Sequence, residues 1–297
     1  MLKRLKSGLF RHHEFSLRKI NELRELLQTL PLTFAFHQAA RAARDQEKTD
    51  NAVKRQKVLY TEITAGIDLL PLHPFIAPEW DYVCFTGDPR LLALGTFGVW
   101  EIRPLAWTES TDSARINRWH KTHPHILFPE YGESLYLDAK IDVRTDALFS
   151  RCAQAAAEGA GLRIPVHRDC HCAYREISRN LRKGKETRAN ANRVRRTLRD
   201  AGFPRGYGLT ENSILWRKHN NPDVIRLMEE WWDLISDLSH RDQLTLSFVL
   251  WRHGISIPEI SMPNARHDKT NFYFYRELPS AQQQRTQRIS HAPHRQS

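Results

Sequence analysis

The chain has 297 residues, 40% of them hydrophobic and 10% aromatic, which is enough for one large core or two small ones and too apolar for a disordered chain. The formal net charge is +11, and no apolar run approaches the roughly 18 residues of a membrane-spanning helix. Four cysteines (Cys84, Cys152, Cys170, Cys172) make no disulfide framework at this length, and the start lacks the apolar core and cleavage site of a signal peptide, so a reducing cytoplasm is the expected compartment.

Residues 1–56 read as a polar, helical extension. Leu17, Ile20, Leu23, Leu27 and Leu30 fall at helical spacing, Pro31 stops that helix, and a charged connector or second helix follows. The character changes at Lys57. Residues 57–63 predict a strand, a Pro-rich loop runs to Trp80, and strands follow at 81–89 and 99–105. Residues 111–123 start on Thr, Asp and Ser and predict a helix. Residues 134–143 predict a further strand. A helix is expected over 146–161, a strand from 162, and a long basic helical region over 172–202 that breaks near Gly184. A strand over 206–219 precedes an amphipathic helix that opens on Pro222, and a last helix closes near Gly254. Strands separated by helices and long connections predict an α/β fold with a mostly parallel mixed sheet over 57–279, and the polar tail 280–297 is expected to be disordered.

The strand at 134–143 carries the first chemical signal. Leu135, Leu137, Ala139, Ile141 and Val143 share one parity, while Tyr136, Asp138, Lys140 and Asp142 share the other. Alternate side chains of a strand point to opposite faces, so two carboxylates with an ammonium between them would stand in a row. Paired carboxylates at the end of a strand in an α/β sheet commonly hold Mg²⁺ or Mn²⁺ against substrate phosphates, which makes Asp138 and Asp142 candidate metal ligands. Lys140 has two readings: it neutralises the strand end, or it supplies part of the charge a metal would bring.

The positive charge is concentrated. Residues 163–205 hold thirteen Arg/Lys against four Asp/Glu. Such a block lines a cleft for an anionic glycan, lies on an anionic membrane leaflet, or binds nucleic acid. No zinc-finger or aromatic RNA-binding signature accompanies it, so membrane or anionic acceptor ranks above nucleic acid.

Five segments occur in order: YTEITAGID (60–68), DYVCFTGDP (81–89), ARINRWHKTHPHILFPEYGESLYLDAKIDV (114–143), GYGLTENSILWRKHNNP (206–222) and WWDLISDLSHRDQLTLSFVLWRHG (231–254). Together they resemble the glycosyltransferase-like family named after plant seed-mucilage and turgor-defect proteins, over roughly residues 57–275. The resemblance implies a GT-A-like, Rossmann-type fold that binds a nucleotide sugar. It places Thr61 and the loop to Asp68 at the base and ribose, and Arg115 and Lys121 at the donor diphosphate. Asp138 matches the family's strand-end aspartate, with Lys140 where a second aspartate often stands. The Arg-Asp-Gln run at 241–243 matches a strong family signature, which makes Asp242 the first catalytic candidate, Gln243 a donor contact and Glu211 the second catalytic candidate. In the His-rich segment His167, Cys172, Tyr174 and Glu176 match the family pattern, while Arg168 and Cys170 depart from it; His167, Tyr174 and Glu176 are acceptor-side candidates.

Other chemistries are weaker. His167, Cys170, His171 and Cys172 are spaced too tightly for the usual zinc pairs. No Gly-x-Ser-x-Gly elbow supports a hydrolase. Trp231 and Trp232 read as core, and Trp251 similarly. The expectation is a cytoplasmic, membrane-peripheral glycosyltransferase. It would move a sugar, most simply from a UDP-sugar, to a glycan or glycolipid of a surface polysaccharide or lipopolysaccharide, with Mn²⁺ or Mg²⁺ as the candidate cofactor and retention expected by analogy. No nucleic-acid partner is expected. The rival is a non-catalytic anion-binding protein that uses block 163–205.

Overall fold

The computed structural model describes residues 32–43, 45–46, 56–64, 70–239 and 241–275. The leucine-spaced helix expected before Pro31, Asp68, and the tail from 280 lie outside these residues. Residues 32–43 are helical (α1). Phe34 packs on Phe97, and His37 is fully buried with its Nε2 2.7 Å from the His73 carbonyl, so α1 is tied to the main domain.

β1 (Lys57–Ile63) and β2 (Trp80–Thr86) are buried along almost their whole length. Strands covered on both faces are mostly apolar, although β1 also buries Thr61 and Glu62 and β2 buries Asp81 and Thr86. After β2, Asp88 caps α2 (Pro89–Leu94) by accepting the Arg90 N–H, and Gly95, at φ 64°, ends it. β3 (Thr96–Phe97) and β4 (Trp100–Pro104) follow. Asp112 caps α3 (Ser113–Thr122) through the Ala114 N–H at 2.9 Å, and α4 (Pro124–Leu127) leads into β5 (Glu133–Leu137). The rest of the chain runs β6 (Ile141–Val143), α5 (Ala147–Ala157), β7 (Leu162–Pro165), α6 (Ala173–Arg182), α7 (Arg188–Asp200), β8 (Ile214–Arg217), α8 (Pro222–Asp237), α9 (Asp242–Arg252), β9 (Ser261–Met262) and β10 (Phe272–Phe274). The helical break near Gly184 and the Pro start of α8 are where the sequence put them. The strand expected over 206–219 is confined to β8.

The sheet order is β3-β4-β2-β1-β5-β8-β7-β9. β4, β2, β1 and β5 are parallel; β8 runs antiparallel to β5 and β7 antiparallel to β8. This is the mixed α/β fold that was expected. One face of the sheet packs Leu59, Trp80, Trp100, Leu135 and Trp216 against Phe149 of α5. The other packs Tyr60, Phe85, Tyr136 and Leu215 under Met228 and Trp231 of α8 and Val249 of α9. The chain leaves β1 toward β2 and β4, then returns on β1's other side as β5. The order therefore reverses at β1, and ligands of open α/β sheets bind outside the carboxyl ends of the strands at such a reversal.

Candidate active site

The carboxyl ends of β1 and β5 meet there. Tyr60 is paired with Tyr136, and two residues beyond them come Glu62 and Asp138. The single strand expected over 134–143 is broken at this point. Leu137 pairs with Ile214, the first residue of β8, so the ladder has no partner beyond it. The chain turns instead: Asp138 N donates to the Ser213 carbonyl and Ile141 N to the Asp138 carbonyl, both at 2.9 Å. β6 then joins β10 in a separate two-stranded sheet. Asp138, Lys140 and Asp142 therefore form no row on one face. Asp142 Oδ1 lies 2.9 Å from His73 Nδ1, and its Oδ2 accepts the Tyr275 hydroxyl at 3.2 Å.

Lys121, near the end of α3, organises the site. It is 2% exposed, and its Nζ donates to the Asn212 carbonyl at 2.9 Å and to Asp242 Oδ2 at 3.2 Å. The same ammonium lies 3.4 Å from Asp138 Oδ1 and 4.7 Å from the Tyr136 ring centre. One turn earlier, Arg118 Nε lies 3.1 Å from Asp242 Oδ2. Lys140 Nζ is 3.8 Å from Asp138 Oδ2. The Tyr136 hydroxyl donates to Asp138 Oδ1 at 3.1 Å, and Asn117 Nδ2 donates to that hydroxyl at 3.0 Å and to Glu62 Oε2 at 2.7 Å. Asp242 opens α9, where its charge suits the helix N-terminus. Its carbonyl accepts the Trp231 indole N–H at 3.1 Å, and Trp231 is core, as expected.

Burial alone would raise the carboxyl of Asp242, but Arg118, Lys121 and Arg241 outweigh it and bring it down to about 2. Asp138 follows the same logic: burial opposes ionisation, and Lys121, Lys140 and Arg118 together lower it. Burial also weakens the Arg118 guanidinium, yet Asp242 and Asp138 hold it firmly charged.

A second group adjoins the first. Gln243 Nε2 donates to Glu211 Oε2 at 3.4 Å, and Arg266 donates to Glu211 Oε1 at 3.2 Å. Glu211 thus meets Asp242 through the neighbouring residue. The remaining candidates are placed differently. Thr61 is buried within β1. Arg115 directs its guanidinium to the Ser236 carbonyl at 3.5 Å, toward the end of α8. His167 Nδ1 accepts the Asp169 and Cys170 N–H groups, and burial lowers its basicity against the pull of Glu211 and Glu176. Tyr174 donates to the Phe203 carbonyl at 2.8 Å and packs with that ring. Glu176 is buried, 3.7 Å from Arg179.

The residues around Asp138 do not fit a divalent cation. Each of its oxygens already faces a lysine ammonium, and Asp142 commits both of its oxygens to His73 and Tyr275. Among the described residues no group of three or more His, Cys, Asp or Glu is arranged to hold a metal ion. What the site offers an anion is guanidinium at Arg241, whose Nε is buried and makes no hydrogen bond; Arg118 Nε is already paired with Asp242, and Lys121 spends its donors on protein. Sequence reasoning missed Glu62, Asn117, Arg118, Asn212 and Arg241. Arg118, one turn before Lys121, and Arg241, within the Arg-Asp-Gln run, were the readable ones.

A family model described as TOD1/MUCI70, glycosyltransferase-like domain, matches residues 90–264, more than half of the chain. Among solved structures, the chain is similar to the apo structure of the bifunctional glycosyltransferase WbbM, at a TM-score of 0.44 and 9% identity, over 82% of this chain and 46% of that one. It is also similar to the apo form of mouse xyloside xylosyltransferase 1, at a TM-score of 0.38 and 12% identity, over 71% of this chain and 85% of that one. No curated protein matches the chain.

Proposed function

The chain belongs to the TOD1/MUCI70 glycosyltransferase-like family, and from that premise we propose that it transfers a sugar from a nucleotide-sugar donor to a glycan or glycolipid acceptor at the Lys121 site. The observation that carries this reading is one buried ammonium holding two carboxylates, Asp138 and Asp242, at the carboxyl end of the parallel strands. A GT-A-type donor site lies there by the general rule for open α/β sheets.

In the reaction the bond between the sugar's anomeric carbon and the diphosphate oxygen breaks, and the diphosphate leaves with the electron pair. An acceptor hydroxyl oxygen bonds to that carbon and gives up its proton. Arg241, whose Nε makes no hydrogen bond, offsets the departing negative charge together with Lys140, while Arg118 holds Asp242 in place. This revises the expected pair: Lys121 holds the carboxylates in register, and Arg115 is turned to α8. Asp242, held at about 2, is too weak a base to take a proton near neutral pH. Its role is electrostatic: it orients the sugar and stabilises positive charge that develops at the anomeric carbon. Glu62 accepts from Asn117 and Thr64, and Glu211, tied to Arg266 and Gln243, is the carboxylate assigned the proton.

The test is nucleotide release from a panel of UDP-, GDP- and CMP-sugars, with Mn²⁺ and with EDTA. Release from one donor in both conditions is expected, falling at least about a hundredfold in Asp242→Asn, the scale of losing one preorganised electrostatic group. Silence across the panel, with no donor raising the melting temperature, overturns the reading in favour of a non-catalytic anion-binding protein.

A further inference from the structure

The basic block folds into a two-helix hairpin, α6 and α7, beside the site. From Arg175 to Arg205 it carries eleven Arg/Lys against three Asp/Glu. Its inner side is apolar: Ala173, Ile177, Ala191, Val194 and Leu198 pack with Leu244 and Phe248 of α9. At 100° per residue, Arg188, Arg195, Arg196 and Arg199 fall within roughly a 100° arc beside that side, along about 16 Å of helix. Arg175, Arg179 and Arg182 form a similar stripe on α6, and Arg195 donates to Ser178 Oγ at 3.0 Å, which sets the two stripes side by side. Arg182, Lys183, Arg188, Arg196 and Arg199 are all exposed, and none has an ion-pair partner among the described residues. Of the three negative residues, Glu176 is buried, Glu186 accepts from Ser239 at 3.3 Å, and Asp200 is exposed at the end of α7, so among the described residues a single free carboxylate stands against the basic stripes.

We infer that this two-helix face docks on an anionic membrane surface. The complementarity is of charge and of form. A plate two helices wide presents cations to an extended sheet of phosphate headgroups, whereas a reader of a nucleic-acid groove presents a single ridge. The exposed face of α7 holds Arg, Asn and Ala with Asp200 at its end and no aromatic side chain, so it offers no platform for stacking bases. Among the described residues no helix is long and apolar enough to cross a membrane, so attachment through them would be at the surface. Arg193 donates to the Asp237 carbonyl at the end of α8, and Ser239 to Glu186, so docking would fix the Arg241–Asp242 corner of the site close to the leaflet. Surface binding is measured without turnover and is independent of the transferase reading.

The experiment is flotation of the purified full chain with vesicles of phosphatidylcholine alone or with about a third phosphatidylglycerol. Binding only to the anionic vesicles is expected, with release as salt rises from roughly 0.1 to 0.5 M. At roughly fivefold per basic residue, replacing Arg182, Lys183, Arg188, Arg196 and Arg199 together by Gln should cut partitioning more than about a hundredfold. A control that replaces the exposed Arg144, Arg226, Arg252 and Lys269 by Gln should bind nearly as wild type. If the five-residue variant melts early, Arg196→Gln/Arg199→Gln alone should still lose more than about tenfold. No binding to anionic vesicles, equal loss in the control, or preference for RNA or heparin oligosaccharide over the vesicles would overturn the inference.

Discussion

Lys121 sits where a charge is most costly, buried and shared between two carboxylates. Removing one member of such a set leaves the others uncompensated, which typically costs 3–5 kcal/mol, while removing both partners costs much less. Lys121→Met should therefore lower stability by about 3 kcal/mol, and Lys121→Met/Asp242→Asn should recover most of that loss in urea titrations without recovering turnover. Additive losses would mean that Lys121 and Asp242 are not coupled. The carboxylate itself has a pH signature. Its folded value of about 2 is depressed from 3.8, so the stability it contributes, about 2 kcal/mol, is present above pH 4 and lost as pH falls toward 2. Three members of this site, Asp138, Lys121 and Asp242, were legible through the motifs around them. Arg118 and Arg241 lay beside those motifs but carried no mark of their own, because a buried guanidinium and a solvated one look alike in a basic sequence. Asp142 was misplaced for a different reason: parity along a strand holds only while the ladder continues, and the ladder ends at Leu137.

The element that makes the site possible is α3. Its last carbonyls point into the core, where helix ends need partners. The Tyr60 hydroxyl lies 3.1 Å from the His120 carbonyl and 3.2 Å from that of Lys121. Arg217, fully buried on β8, donates to the Lys121 carbonyl and to the Tyr60 hydroxyl, both at 2.6 Å. A cation at a helix C-terminus also matches the helix dipole. The same turn thus positions Lys121 from the backbone and its ammonium from the side chain. Arg217→Met should cost about 2–4 kcal/mol through the acceptors it strands, and it should reduce turnover because Arg118 and Lys121 ride on this helix. Arg217→Lys should rescue only part of the loss, since an ammonium cannot fork between two oxygens in one plane. Denaturant midpoints and initial rates decide it; a neutral Arg217→Met would make the residue dispensable packing. The cap at Asp112, the Pro222 start of α8 and the stop at Gly254 were readable because each acts locally. The Arg217–α3 contact joins residues 96 apart and leaves no local trace.

Across the whole molecule, the layers are joined by histidines that burial keeps neutral. His37 links α1 to the loop at His73 and accepts the Val99 N–H at Nδ1. His120 accepts the Ala106 N–H at Nε2 and places its Nδ1 2.9 Å from the Ile116 carbonyl. His219 sets its Nε2 2.9 Å from the Phe128 carbonyl. Burial is the largest influence on each and brings all three down to about 4, against hydrogen bonds to carbonyls that favour the charged ring. Protonation would also remove the acceptors that Val99 and Ala106 use. The folded values lie below 6.5, so the unfolded chain takes up protons first as pH falls. Stability is complete above pH 6.5 and declines between 6.5 and 4, at up to about 1.4 kcal/mol per pH unit for each ring. Three rings acting together remove about 4 kcal/mol per unit and about 10 kcal/mol over that window, which exhausts a domain in the lower half of the ordinary 5–15 kcal/mol range. Urea midpoints should hold between pH 8 and 7, fall steeply from 6.5, and reach zero near pH 4–5. The carboxylate of Asp242 gives way only below pH 4, so acid should dissolve the joints between layers before it disturbs the charge network of the site. A midpoint that stays level down to pH 5 would place these rings in solvent rather than at the joints.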